Sequence, residues 1–105
     1  MGLFLSPKID DGVAEFRATP NALLVDVRTA EEYAEGHIPG SVNIPLAALP
    51  ARMDELGDFD RPLFVHCLSG GRSGQAVMFL KREGFTNVKN IGGISRYRGE
   101  LAEGK

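Results

Sequence analysis

Apolar residues along this chain fall into short uninterrupted runs, separated by stretches in which they recur every three or four positions. The clearest runs are Leu23-Leu-Val-Asp-Val27 and Leu63-Phe-Val-His66, bounded upstream by turn residues at Pro20-Asn21 and Asp58 to Pro62. Runs that are continuous rather than alternating suit parallel strands covered on both faces. Ser41 to Ile44 and Asn87 to Ile91 fit two weaker strands, and Lys8-Ile9 is a further strand candidate.

Between the runs lie helix signals. Thr29-Ala-Glu-Glu32 reads as a capping box, with Gly36 as a stop, which predicts a short helix over 30–35. Leu46, Leu49, Met53 and Leu56 share one helical face, but Pro50 belongs in a first turn and moves the start to about that residue. Ser73 to Glu83 places Ala76, Val77 and Leu80 on one side and ends at Gly84, while Ile94, Tyr97 and Leu101 mark a last helix that must tolerate Gly99. Strands alternating with helices predict an open parallel α/β sheet, in which ligands bind beyond the carboxyl ends of the strands.

The 105 residues have the length of one domain spanning 1–105, with 43% hydrophobic and 25% charged residues and a net charge of -2. That balance offers no basic footprint for nucleic acid. The opening segment has an apolar patch of only three residues, Leu3 to Leu5, too short for a membrane span and without the basic region of a leader, so a cytoplasmic location is expected. The single cysteine, Cys67, excludes an internal disulfide, and with only His37 and His66 beside it in the sequence inventory no metal or organic cofactor is expected.

Cys67 directly follows the run 63–66 and is followed by Leu68-Ser-Gly-Gly-Arg72 and Ser73, where a helix begins. Gly70 and Gly71 permit positive φ and a tight turn, so that successive N–H groups face inward as an anion nest at the positive end of the helix. A thiol there ionises more readily, and Arg72 is expected to add a fixed cation. A lone cysteine is commonly a small buried hydrophobe. Its conjunction with two glycines, an arginine and a helix start points instead to a nucleophile in an anion cradle. The stretch lacks the lysine and the spacing of a nucleotide-binding phosphate loop.

Taken together, Leu24-Val-Asp-Val-Arg28, Glu31-Glu-Tyr33, Gly36-His-Ile-Pro-Gly40 with Asn43-Ile-Pro45, the loop Cys67 to Ser73, and Gly84-Phe85 followed by Asn90 to Ile94 resemble the single-domain rhodanese-like sulfurtransferases over nearly the whole chain. The resemblance implies a five-stranded parallel sheet flanked by helices on both faces. It also implies that Cys67 takes a sulfane sulfur from thiosulfate or a persulfide, holds it as a persulfide within Leu68, Ser69, Gly70, Gly71, Arg72 and Ser73, and passes it to a thiol or cyanide, with thioredoxin or another sulfur carrier protein as a partner. Cysteine phosphatases and arsenate reductases place five residues between Cys and Arg, against four here, which disfavours that class. A non-catalytic binding or sensor module is the other alternative, and an intact Cys67 argues against it. Leu68 departs from the basic or polar residue that many users of thiosulfate carry there, which predicts mediocre use of that dianion. Tyr97 replaces the family's usual tryptophan, a change expected to affect packing only.

Other polar residues read as structural. Asp26 and Arg28 lie on the same sheet edge as Cys67 and are candidates to shape the donor's electrostatic surroundings, although an ion pair holding adjacent loops is the simpler role. His37 is expected to fix a turn. His66 should point away from Cys67 and be buried and hydrogen-bonded. Asp54, Glu55, Asp58 and Asp60 read as a solvated connection, and Arg96 and Arg98 as scattered surface charge or a docking face for an acidic partner.

Overall fold

The computed structural model describes residues 7–104, so the opening apolar patch at 3–5 lies outside the described residues. Helix α1 spans Lys8–Ala18, strand β1 Leu23–Asp26, α2 Ala30–Glu35, β2 Ser41–Asn43, β3 Leu63–Cys67, α3 Gly71–Arg82 and β4 Val88–Gly93. The four strands are all parallel, in the order β2-β1-β3-β4. Two buried clusters sandwich this sheet. On one face Val25, Val27, Leu63, Val65 and Cys67 pack with Ala76, Val77 and Leu80 of α3 and with Leu49 and Leu56. On the other, Leu24, Phe64 and Ile91 pack with Ile9 and Val13 of α1 and with Ile38 and Ile94. Period-two alternation along β1 and β3 therefore sends Cys67 to the α3 face and its neighbour His66 to the other.

Four sequence expectations need correction. The sheet has four strands among the described residues, not five. Lys8-Ile9 opens a helix: Ile9, Val13 and Phe16 recur at helical spacing, Asp10 and Asp11 sit in the first turn, and Pro7 occupies the N-cap. Gly12 weakened that signal, yet a Cβ there would collide with Ile91, so the residue serves the close approach of α1 to β4. The helix expected from Pro50 is instead a pair of 3₁₀ turns, Leu46–Ala51 and Met53–Leu56, divided at Arg52. Pro50 has no N–H with which to continue an α-helical ladder. Finally, the last expected helix is reduced to the 3₁₀ turn Ile94–Arg96. Beyond it the chain extends so that Ala102 exchanges two 2.8 Å backbone hydrogen bonds with His37, which leaves Leu101 exposed.

The remaining elements form as their sequences dictate. In α2 the Thr29 hydroxyl accepts from the Glu32 N–H while the Glu32 carboxylate accepts from the Thr29 N–H, completing the capping box. Helix α3 begins at Gly71, two residues earlier than its apolar spacing suggests, and Gly84 ends it with φ of 109°. No helix among the described residues is long and apolar enough to cross a membrane.

Candidate active site

Cys67 closes β3 and is 1% exposed. The chain then turns through Leu68 and Ser69 to Gly70, whose φ of 106° requires a glycine, and enters α3 at Gly71. Gly71 itself is the first helical residue, outside the left-handed region and with open space around it, so the freedom expected of both glycines is used at Gly70 alone. The turn directs its donors at one atom. The Gly70 N–H lies 3.0 Å from Cys67 Sγ, the N–H groups of Ser69 and Ser73 also face the sulfur, and the Ser73 hydroxyl is 3.4 Å away. Burial pushes the thiol up, but the Ser73 hydroxyl and the amides of Ser73, Gly70 and Ser69 outweigh it and hold the thiol below its ordinary value. The positive end of α3 acts in the same direction.

Arg72 stands close enough to interact electrostatically with the sulfur but makes no hydrogen bond to it. Its guanidinium forks onto Glu32 of α2, with Nη1 to Oε1 at 2.7 Å and Nη2 to Oε2 at 3.0 Å. The Arg72 hydrogen bonds, together with those from Thr29, overcome partial burial and pull the Glu32 carboxyl down to about 2. Arg72 therefore remains near the site as a neutralised brace between the loop and α2. Leu68, by contrast, is 44% exposed beside the loop, and its carbonyl accepts from the Ser95 N–H at 3.1 Å.

Three residues of this site carry no role at the sulfur in the sequence reading. Glu32 is accounted for there by its capping box, and nothing local signals a partner forty positions away. Asn90 of β4 binds the loop from behind: Oδ1 accepts from Ser73 Oγ at 2.7 Å and from the Gly92 N–H at 3.0 Å, and Nδ2 donates to the Gly70 carbonyl at 3.1 Å. Gly93 has no room for a side chain, since a Cβ would overlap the Leu68 carbonyl oxygen and Ser69 Cα. The Gly92-Gly93 pair was the visible signal for that close approach.

Asp26 and Arg28 form a buried fork at the end of β1. Arg28 Nη2 lies 2.7 Å from Asp26 Oδ2, Nε is 3.0 Å from Oδ1, and Nη2 also donates to the Gly36 carbonyl at 2.8 Å. Neither touches Cys67 Sγ through a hydrogen bond. His37 Nδ1 is 2.9 Å from the Tyr33 carbonyl oxygen, and its ring stacks on Tyr33 with centroids 3.8 Å apart. His66 is fully buried on the face opposite Cys67, and only half of its expected hydrogen bonding is present. Its Nδ1 lies 3.3 Å from the Cys67 carbonyl oxygen, while Nε2 has no hydrogen-bond partner and sits 3.8 Å from Asp26 Oδ2. Arg98 pairs with Asp10 at 2.8 Å. Among the described residues no group of three His, Cys, Asp or Glu side chains stands together as a metal site.

The chain was compared with known proteins as a whole. Residues 11–100 match the family described as Rhodanese-like domain. A protein named sulfurtransferase from Allochromatium vinosum is 43% identical over 77 residues, covering 72% of this chain and 71% of that protein. Thiosulfate sulfurtransferase PspE of Escherichia coli is 38% identical over 71 residues, covering 67% of this chain and 68% of that protein. Among solved structures, a rhodanese with anions from E. coli superposes with a TM-score of 0.73 at 33% identity, covering 79% of this chain and 99% of that one.

Proposed function

This chain belongs to the rhodanese-like domain family, and we propose that it is a sulfurtransferase in which Cys67 carries the sulfur. The observation that supports this reading is the convergence of three backbone amides and the Ser73 hydroxyl on one buried sulfur, without a side-chain cation in contact. Such donors stabilise a thiolate, and after sulfur uptake they stabilise the negative outer atom of a persulfide. A cradle of amides has fixed direction and needs no reorganisation when the charge moves by one S–S bond.

In the first step the Cys67 thiolate attacks the outer sulfur of the donor. With thiosulfate the S–S bond breaks, its electron pair leaves on sulfite, and Cys67 becomes a persulfide anion. With a persulfide RS–SH the pair leaves on RS, which takes the proton and departs as RSH. In the second step a thiolate or cyanide attacks the outer sulfur of Cys67 and the thiolate returns. Neither step consumes an oxidant or a reductant. Leu68 places an exposed apolar side chain beside the loop, so a persulfide is the better donor and thiosulfate the poorer.

Intact-mass measurement tests the assignment. Incubation with thiosulfate, and separately with glutathione persulfide, should add one sulfur atom that cyanide removes as thiocyanate, and Cys67→Ser should add none. The persulfide should load faster, and Leu68→Arg should raise the thiosulfate rate. Absence of sulfur gain with both donors would leave the loop a binding module and overturn the enzymatic reading.

A further inference from the structure

A cleft of about 620 Å³ adjoins the loop, lined by Pro7, Lys8, Ser69, Gly93, Arg96 and Arg98 among others. Its size is that of a small-molecule site, roughly 300–1,000 Å³. Three cationic side chains from two distant stretches of sequence meet there, Lys8 at the start of α1 and Arg96 and Arg98 beyond β4, and the lining contains no carboxylate. Arg98 is partnered by Asp10, whereas Lys8 and Arg96 are exposed and form no ion pair among the described residues. The aliphatic stem of Lys8 crosses Gly92, within 3.8 Å of where a Cβ would stand, which brings the start of α1 against the turn leading into Gly93. Ser69 is the shared wall: it lines the cleft, and its N–H faces Cys67 Sγ.

We propose that this cleft is a subsite for the carboxylates of an extended sulfur donor, namely the persulfide of a thiol that carries them, with Lys8 and Arg96 as the residues that read the charge. The proposal rests on the sulfurtransferase reading and names the donor class for it. Leu68 contributes no charge, whereas Lys8 and Arg96, without an ion pair among the described residues, line the cleft that shares Ser69 with the loop. A donor that reaches over Ser69 gains them, while thiosulfate, with its charge directly on the reacting S–S unit, is too compact to occupy both places. The chemistry at Cys67 is unchanged: the S–S bond of RS–SH breaks, the outer sulfur joins Cys67, and RSH leaves with the proton.

The test is a Lys8→Ala/Arg96→Ala double variant, assayed for the second-order rate of Cys67 persulfide formation with three donors. Glutathione persulfide has two carboxylates, the persulfide of 2-mercaptoethanol has the same reacting sulfurs and none, and thiosulfate is a compact dianion. Loss of two exposed charge contacts should slow glutathione persulfide by roughly fivefold or more, mostly through KM. The neutral persulfide and thiosulfate should load the variant as they load the unaltered protein. Equal slowing of thiosulfate would assign the effect to the general field of the protein and overturn the subsite, as would unchanged loading by all three. Failure of every donor to load the unaltered protein would overturn the sulfurtransferase reading and this proposal with it.

Discussion

The carboxyl ends of β1 and β3 lie side by side and each buries one group able to carry negative charge, Asp26 at 0% and Cys67 at 1% exposure. They are satisfied in opposite ways. Around Asp26 the charge is cancelled: the Arg28 guanidinium grips both carboxylate oxygens, the Arg28 N–H adds a bond at 2.9 Å, and Asn43 Nδ2 bridges the Asp26 and Arg28 carbonyls. Around Cys67 the donors are backbone amides and a hydroxyl, while the Arg72 guanidinium is turned onto Glu32. A buried charge met by its counter-ion is complete and serves the scaffold. A sulfur ringed by dipoles without a counter-ion gains stabilisation when it becomes negative, which is the condition a nucleophile requires.

The largest effect that separates the two ends is on stability. Arg28→Ala leaves the Asp26 carboxylate buried without its partner and should cost about 3–5 kcal/mol, since one partner of a buried pair is removed. Urea unfolding measures the loss, and a double-mutant cycle with Asp26→Asn should show strong coupling, because Asn leaves no uncompensated charge. Cys67→Ser, by comparison, should unfold close to the unaltered protein. Equal costs at both ends would dissolve the distinction between scaffold and reagent.

Next in size is Gly93→Ala. The new methyl meets the Leu68 carbonyl and Ser69 Cα, both backbone, so the loop must move as a unit and its amides lose their aim at Cys67 Sγ. A displacement near 1 Å should lower the sulfur-loading rate roughly 100-fold. The rate comes from stopped-flow assay, and circular dichroism reports whether the sheet persists. A variant that loads sulfur at the normal rate would show that the cradle does not depend on the fixed position of Leu68 and Ser69.

A smaller change sharpens the account of the sulfur. The Ser73 hydroxyl has one proton and three acceptors within reach, Asn90 Oδ1 at 2.7 Å, the Gly70 carbonyl at 3.1 Å and Cys67 Sγ at 3.4 Å. With a neutral thiol the shortest contact holds the proton at Asn90; a thiolate competes for it. Ser73→Ala removes this donor and leaves the amides, so the thiol should titrate at higher pH than in the unaltered protein. The thiolate is the reactive form, so alkylation by iodoacetamide at neutral pH should slow by a few fold, about what one such hydrogen bond contributes. An unchanged titration curve would assign the whole effect to the backbone.

These contrasts also explain which parts of the molecule were legible in the sequence. Strands β1 and β3 carry unbroken apolar runs, α2 carries a local capping box, and the order Cys67, glycines, Arg72, Ser73 is contiguous, so each could be read within a few residues. What escaped depends on partners distant in sequence. The pairing of Glu32 with Arg72 spans forty positions, Asn90 reaches Gly70 and Ser73 from another strand, and Gly12 takes its meaning from Ile91. Helix α1 was obscured because that glycine depressed its local propensity, although Ile9, Val13 and Phe16 kept the helical period. The expected last helix gave way to pairing between Ala102 and His37, a tertiary contact that no local signal announces.

The smallest expected effect is the pH dependence of stability from His66, the residue between the two ends. It pairs with Asp26 in register, precedes Cys67 in β3, and is fully buried with Nε2 lacking a hydrogen bond. Burial is the main cause that lowers its pKa below the ordinary 6.5, and the nearby Asp26 carboxylate only partly opposes it. Between that ordinary value and the lower folded one, the unfolded chain therefore binds a proton that the folded chain refuses. Stability should be full above about pH 6.5 and fall as the pH drops through this window, by at most about 1.4 kcal/mol per pH unit. The depressed carboxyls of Glu32 and Asp10 add losses of the same sign, but only below the ordinary carboxylate range. Urea unfolding between about pH 7 and 5 isolates the histidine, and His66→Gln should flatten the slope there. A slope that survives the substitution would move the pH sensitivity away from this residue.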